Sequence, residues 1–192
     1  MYLVFDTETT GLPKNYNAPV SRLSNWPRIV QIAWKRFDKS GNELESKNHI
    51  IKPDGFSIPY KATRIHGIST EFAIQNGVDI KIALDNLSNS ITLSKLLVAH
   101  NINFDEKIVG AEFLRLGLEN PLNNIKKICL MKSSTEYCKI QGPYGYKWPS
   151  LTELHYKIFR TDFKEAHNAE MDVEACANCF FKLIELGVLK SI

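Results

Sequence analysis

Short apolar runs, separated by amphipathic stretches, organise this chain. Residues 2–5 and residues 96–99 are continuous apolar segments rich in β-forming side chains. Runs of this length are typical of strands buried on both faces of a sheet. Residues 28–37 and 44–51 flank a turn signal at 38–42, so they predict an antiparallel hairpin beside the first strand.

Helical spacing of apolar residues appears between and after these runs. A further strand is predicted over residues 125–131, and a helix is predicted from Asp79 to near Ser90. Asn103, with Glu106 three residues later, has the spacing of a capping box and predicts the start of another helix. Ser150 and Glu153 repeat that spacing. The last helix is predicted to bury one apolar face made of Val173, Cys176, Ala177, Phe180 and Ile184.

Composition places the chain among ordinary globular proteins. Its 192 residues are 44% hydrophobic and 23% charged, which predicts one domain over residues 1–192. A net charge of +3 does not indicate a polyanion-binding protein, unless the acids converge and leave a basic surface elsewhere. The first residues lack a secretory pattern, and no apolar run reaches the roughly 18 residues of a membrane span, so we expect a cytoplasmic protein. The four cysteines are then expected to be reduced, buried thiols rather than zinc ligands.

Two acids stand at the end of the first predicted strand. Asp6 and Glu8 are two residues apart, so their side chains point to the same face of the sheet. Buried together, they would repel each other and lose hydration, and a divalent cation is a common compensation. The alternative is a strand that simply ends at two solvated acids.

Two more acids and a histidine follow the same theme. Asp105 lies in the first turn of the helix after residues 96–99, and Asp172 lies near the start of the last helix, five residues after His167. The carboxyl ends of parallel strands are where α/β proteins build sites. Oxygen ligands suit Mg²⁺ or Mn²⁺. Four carboxylates exceed what one such ion takes from a protein, which suggests two ions that share a ligand.

These segments resemble the three motifs of the DEDDh group of 3′→5′ exonucleases. Asp6 and Glu8 stand in FDTETTGL, Asp105 ends HNINFD, and His167 precedes Asp172 at the spacing of the third motif. This DnaQ-like family includes the proofreading epsilon subunit of bacterial DNA polymerase III. The resemblance implies an α/β, ribonuclease H-like fold: a five-stranded mixed sheet, its second strand antiparallel, with helices on both faces.

The resemblance also implies a reaction and a role for each motif residue. Two divalent ions, Mg²⁺ or Mn²⁺, about 3.5–4 Å apart would hold the entering and leaving oxygens of a phosphodiester. Asp6 would bridge the ions, Glu8 and Asp172 would complete the ion that activates water, and Asp105 the ion nearer the leaving oxygen. His167 would take the proton of the water. The product would be a nucleoside 5′-monophosphate released from a 3′ end.

The terminal nucleotide needs a pocket of its own. From the resemblance of PRIVQIA and RIHGIS to family segments, and from position, the candidate wall residues are Thr9, Leu12, His66 and Phe104. Leu12 has an alternative role as a cap on the core, and His66 as a structural histidine in a loop.

Three functions remain open from the sequence. The leading one is a metal-dependent exonuclease on single-stranded DNA, in proofreading or repair, with a polymerase subunit as a candidate partner. The same chemistry on RNA is the second, and a non-catalytic nucleic-acid-binding module is the third. The Gly- and aromatic-rich loop at residues 141–148 either offers stacking faces to bases or covers the core. No membrane association is expected, and the sequence does not indicate an oligomeric state.

Overall fold

This computed structural model describes residues 1–161, 163 and 167–190, which contain both strands and helices. The strands are β1 (Tyr2–Thr9), β2 (Ile29–Phe37), β3 (Glu43–Ile50), β4 (Leu96–Ala99), β5 (Lys126–Cys129), β6 (Gln141–Gly142) and β7 (Gly145–Tyr146). The helices are α1 (Tyr60–His66), α2 (Thr70–Asn76), α3 (Ile80–Thr92), α4 (Ile102–Arg115), α5 (Leu130–Ser133), α6 (Thr135–Cys138), α7 (Leu151–Phe159) and α8 (Ala169–Glu185). Short 3₁₀ turns occur at Leu23–Asn25 and Pro121–Asn124.

A five-stranded mixed sheet forms the centre, in the order β3-β2-β1-β4-β5. β2 runs antiparallel to both β1 and β3, whereas β1, β4 and β5 are parallel. The apolar runs become its innermost strands because they leave no polar side chain to expose, and residues 2–5 and 96–99 are all buried. The predicted mixed sheet with an antiparallel second strand is therefore confirmed.

Each face of the sheet carries its own hydrophobic core. On one face, Leu3 and Phe5 of β1 belong to a cluster with Leu84 of α3 and Val109 of α4. On the other face, Tyr2 and Val4 belong to a cluster with residues of α7 and α8. This division follows from the alternation of side chains along a strand. It confirms helices on both faces, and it assigns the even-numbered positions of β1 to the α8 side.

The predicted capping box at Asn103 is wrong. α4 begins at Ile102, and its N-cap is Asn101, in the left-handed conformation (φ 67°) without a side-chain cap hydrogen bond. Asparagine tolerates that conformation better than most residues, so the chain turns sharply after β4 and the helix starts earlier. Glu106 instead pairs with Lys127 at 3.2 Å, across to β5.

Other predicted boundaries hold or shift slightly. Ser150 and Glu153 form the predicted capping box, with both reciprocal hydrogen bonds present. β5 is shorter than the predicted 125–131, because the chain enters α5 at Leu130. His66 lies at the end of α1 rather than in a loop, since Gly67 (φ 79°) is the residue that terminates the helix.

Within residues 141–148, which the sequence predicted only as a loop, residues 141–146 form a small β6–β7 hairpin. Within the described ranges, no helix has the length and apolarity to cross a membrane.

Candidate active site

Three carboxylates meet on the α8 side of the sheet. Asp6 and Glu8 project from the carboxyl end of β1 on the same face, and Asp172 projects from the first turn of α8, which packs against that face. Single carboxylate oxygens of the three residues lie within 4.8 Å of one another. The start of α8 is tied to β2, because the backbone N–H of Ala169 donates to Gln31 Oε1 at 3.2 Å.

Asp105 lies in the helix layer on the opposite face of the sheet. It lies in the first turn of α4 and is 2% exposed. Thr7, between the two acids of β1 but on the other face of the strand, donates its hydroxyl to Asp105 Oδ1 at 2.7 Å. A cavity of about 340 Å³ is lined by Asp105 together with Asp6, Glu8 and Asp172. The structure therefore brings the four predicted acids into one space.

The four carboxylates disfavour one another's charge. Burial, followed by repulsion from the other three acids, raises the pKa of Asp6 well above its usual value. Burial and the charges of Asp172 and Asp105 raise the pKa of Glu8 to about 8. Burial raises the pKa of Asp105 to about 7 against the opposing hydrogen bond from Thr7, and burial also raises the pKa of Asp172.

No lysine or arginine is among the described residues that line this cavity. Burying several negative charges without a positive partner is costly. Carboxylate oxygens are the ligands that hard divalent cations prefer. The donor set of Asp6, Glu8 and Asp172 thus fits a bound metal ion.

His167 stands at the edge of the same cavity. Its side chain is exposed, and its backbone N–H donates to Asp172 Oδ2 at 3.0 Å. The residue adopts a left-handed conformation (φ 74°) immediately before Asn168, the N-cap of α8. That local geometry keeps the imidazole next to the acids, and its role as the base stays a prediction.

A second, larger cleft of about 610 Å³ adjoins the acidic cavity. It is lined by all four residues predicted for the terminal nucleotide: Thr9, Leu12, His66 and Phe104. Leu12 is 73% exposed and offers an apolar surface to a ligand. The Thr9 hydroxyl is occupied, because it donates to the carbonyl of Gly11 at 2.6 Å.

His66 is 8% exposed, and its Nδ1 accepts a hydrogen bond from the backbone N–H of Ile68 at 3.1 Å. Burial lowers the pKa of this imidazole. Thr9 and His66 therefore shape the cleft, whereas Leu12 and Phe104 present the contact surface. Their binding roles stay predictions.

The family model of the RNase_T exonucleases matches residues 3–180. The chain is a member of the RNase_T exonuclease family. This membership confirms the resemblance to DnaQ-like exonucleases that the three motifs indicated.

Relatives of this RNase_T family member include parts of bacterial polymerases. It is 28% identical to DNA polymerase III subunit epsilon of Treponema pallidum (strain Nichols), over 95% of this chain and 76% of that protein. It is 27% identical to the PolC-type DNA polymerase III of Mycoplasmopsis pulmonis (strain UAB CTIP), over 98% of this chain but only 12% of that polymerase.

The fold is also that of a solved nuclease. The structure of E. coli exonuclease I in complex with a dT13 oligonucleotide matches 96% of this chain and 40% of that one, with a TM-score of 0.74 and 22% identity. At this identity the likeness concerns the fold alone.

Several lining residues of this RNase_T exonuclease were not predicted from the sequence. Thr7, Tyr16 and His100 border the acidic cavity. Thr7 had a usable signal, since it lies between the two acids and faces the helix that carries Asp105. Tyr16 lies in a long loop and is held there by Lys107 Nζ, which donates to its carbonyl at 2.8 Å. That contact joins residues 91 positions apart in the sequence, so no local sequence pattern predicts it.

Proposed function

We propose that this chain is a metal-dependent 3′→5′ exonuclease that releases nucleoside 5′-monophosphates from the 3′ end of single-stranded DNA. One observation carries the proposal: four carboxylates converge on one cavity whose described walls include no cationic lysine or arginine. An apolar-walled cleft for one nucleotide adjoins that cavity. We take residues 1–192 to act as one exonuclease domain in the cytoplasm.

The acids divide into two sets of candidate ligands. Asp6, Glu8 and Asp172, whose oxygens lie within 4.8 Å of one another, would hold one ion, and Asp105 with Asp6 would hold a second. Oxygen donors of this kind favour Mg²⁺ or Mn²⁺. Two such ions supply the positive charge that a phosphodiester needs during attack by water and departure of its 3′ oxygen.

The remaining residues of the site would bind and orient the substrate. Leu12 and Phe104 lie on the shared wall of the cavity and the cleft, where they can pack against the terminal base and sugar. His167 also borders both spaces, so its imidazole can accept the proton of the attacking water. The backbone N–H of His167 holds Asp172 in place at the same time.

Two observations support DNA as the substrate class and a polymerase as a partner. The solved relative named above was crystallised with a dT13 oligonucleotide, and both curated relatives are DNA polymerase III proteins. Because the fold likeness alone does not select a sugar, RNA is included as an arm of the test.

The test uses one single-stranded oligonucleotide labelled at either end, with Mg²⁺ or EDTA. We expect the 3′-labelled strand to release labelled mononucleotide at once and the 5′-labelled strand to shorten progressively. EDTA should abolish both. Internal cleavage, or mononucleotide released first from the 5′ label, would contradict the proposal. An RNA strand of the same sequence, measured in parallel, decides the sugar preference.

His167→Ala tests the proposed base. Loss of a positioned base lowers kcat by about 10²- to 10⁴-fold. The Mg²⁺ dependence should persist, because no proposed ligand is removed. His155→Ala on α7 is the matched control. His155 lines neither the acidic cavity nor the nucleotide cleft, and its Nδ1 forms a hydrogen bond with the carbonyl oxygen of Thr161. A His167→Ala variant with near-normal kcat would exclude the base assignment.

A further inference from the structure

The β6–β7 hairpin and the residues after it form an unexplained surface of exposed aromatic rings. We call residues 141–148 the aromatic hairpin. Tyr144 is 103% exposed, Trp148 59% and Tyr146 39%. Large rings of this kind usually bury most of their area, so a cluster of them in solvent marks a binding surface.

This surface is joined to the acidic cavity. His100 lines the cavity, and its Nε2 lies 3.0 Å from the carbonyl oxygen of Pro149, the residue that follows Trp148. His100 borders the acidic cavity but not the nucleotide cleft, whereas His66 borders the cleft but not the cavity. His100 therefore connects the acidic cavity to the residue that directly follows the aromatic hairpin.

The hairpin is held in place at both ends. The backbone N–H of Lys147 donates to the carbonyl of Ile140 at 2.9 Å, and Lys147 Nζ pairs with Glu153 of α7. Ser150 then caps α7. Rings carried on a fixed support lose little entropy when a ligand stacks on them, which favours binding.

Positive charge lies beside the rings. Of the five lysines within residues 126–147, Lys127 pairs with Glu106 and Lys147 pairs with Glu153, so the charge of these two is already compensated. Lys132 Nζ lies 5.4 Å from the centroid of the Trp148 ring. Aromatic faces interleaved with cations are the usual platform for single-stranded nucleic acid.

We propose that the aromatic hairpin stacks on the bases of the single strand upstream of the terminal nucleotide. This proposal rests on the proposed function, because it extends the path of the same strand away from the cleft. It predicts that affinity grows with strand length until the strand reaches Trp148 and Tyr144.

Binding is measured by anisotropy of 5′-fluorescein-labelled oligothymidylate in EDTA, so that cleavage does not interfere. The wild-type protein should bind a dodecamer more tightly than a trimer. Trp148→Ala should weaken dodecamer binding by about 10-fold, because it removes one base–aromatic stacking contact. The difference between dodecamer and trimer should shrink accordingly.

Two further variants separate stacking from loss of structure. Trp148→Phe keeps a ring and should restore most of the dodecamer affinity. Phe72→Ala removes an exposed ring of α2, 47% exposed and outside both spaces, and should leave the dodecamer affinity unchanged. Lys132→Gln should flatten the dependence of log affinity on log salt by about 0.7.

Tryptophan emission supplies an independent signal. Trp26 and Trp34 are 4% and 0% exposed, so quenching on DNA addition reports on Trp148. We expect quenching in the wild type and none in Trp148→Phe.

Unchanged dodecamer affinity in both Trp148→Ala and Tyr144→Ala would overturn the proposal. If those variants instead convert a dimer to a monomer in sedimentation, the hairpin is a protein contact and the proposal also falls. Failure of the nuclease proposal has a different signature: no metal-dependent release from the 3′ label, whatever the binding data show.

Discussion

Two regions of this molecule bury carboxylates, and they do so in opposite ways. Glu112 of α4 is 1% exposed, but Arg28 Nε lies 2.8 Å and Arg115 Nη1 2.9 Å from its Oε1, which also accepts the N–H of Ile29. The acids of the cavity have no such partners among the described residues that line it.

The difference separates structure from function. In the Glu112 cluster the carboxylate has two positive partners within the chain, and the cluster joins α4 to β2 and to the loop before it. In the cavity, burial raises the pKa values of all four acids, and repulsion from neighbouring acids adds to this for Asp6, Glu8 and Asp105. A buried charge without a partner in the protein is tolerated at a site where a bound ligand supplies the opposite charge.

Asp6→Asn should have the largest effect. It removes the proposed shared ligand, and the several kcal/mol of charge stabilisation lost correspond to about 10⁴-fold or more in kcat. In EDTA, the same variant should melt at a higher temperature than the wild type, because a neutral amide replaces a buried carboxyl group whose pKa is raised by burial and by the neighbouring acids. If Asp6→Asn melts at a lower temperature than the wild type in EDTA, the acids of the cavity do not destabilise the metal-free protein.

Glu112→Ala should cost about 3 kcal/mol of unfolding free energy, because it removes a buried carboxylate and leaves the half-buried guanidinium groups of Arg28 and Arg115 without their partner. Asp85→Ala is the control: its pair with Lys81 is more than half exposed, and exposed pairs contribute about 0–1 kcal/mol. Urea unfolding monitored by circular dichroism measures both values. Equal losses in the two variants would remove the distinction between buried and exposed pairs.

Mg²⁺ or Mn²⁺ should stabilise the wild type. At 100 times the dissociation constant, a ligand of the native state adds about 2.7 kcal/mol. For a chain of this size that corresponds to a rise of about 5–11 °C in Tm. Differential scanning fluorimetry should show the rise in the wild type and in Glu112→Ala, but a smaller one in Asp6→Asn. No shift in the wild type would argue against a metal site.

The stability of the metal-free protein should also depend on pH. Glu8 titrates near 8 in the folded state, above its usual 4.5, so the folded state holds a proton that the unfolded state has already lost. Stability should therefore be highest below about pH 4.5, as far as this group is concerned, and should fall as pH rises to about 8. Asp105, near 7 instead of 3.8, acts in the same direction.

Saturating Mg²⁺ should reduce this slope, since the deprotonated acids then have a partner. The measurement is the unfolding free energy in EDTA and in Mg²⁺ across that pH range. Stability of the metal-free protein that rises with pH would contradict the assignment.

Local patterns predicted the parts of the fold that depend on local chemistry. Apolar runs located β1 and β4, and the capping box located α7. The spacing of Asp6 and Glu8 predicted a shared face because strand alternation is a property of the backbone itself. The order of the motifs along the chain predicted that Asp105 and Asp172 lie close to Asp6 and Glu8. The structure places all four acids at the same cavity.

The features that could not be predicted from the sequence depend on contacts between distant residues or on single backbone angles. The start of α4 was misplaced because Asn101 adopts a left-handed conformation that no spacing rule reports. His100 was not predicted as a bridge to the aromatic hairpin, since its partner Pro149 is 49 residues away. The Glu112 cluster was missed for the same reason, because Arg28 is 84 residues from Glu112.

The acids are supplied from both sides of the sheet, which has a consequence for how the site forms during folding. Asp172 is delivered by the helix layer on one side of the sheet and Asp105 by the layer on the other, with β1 between them. A chain that has closed only one side holds an incomplete set of acids. The proposed metal site is therefore complete only when the helix layers on both faces of the sheet are in place.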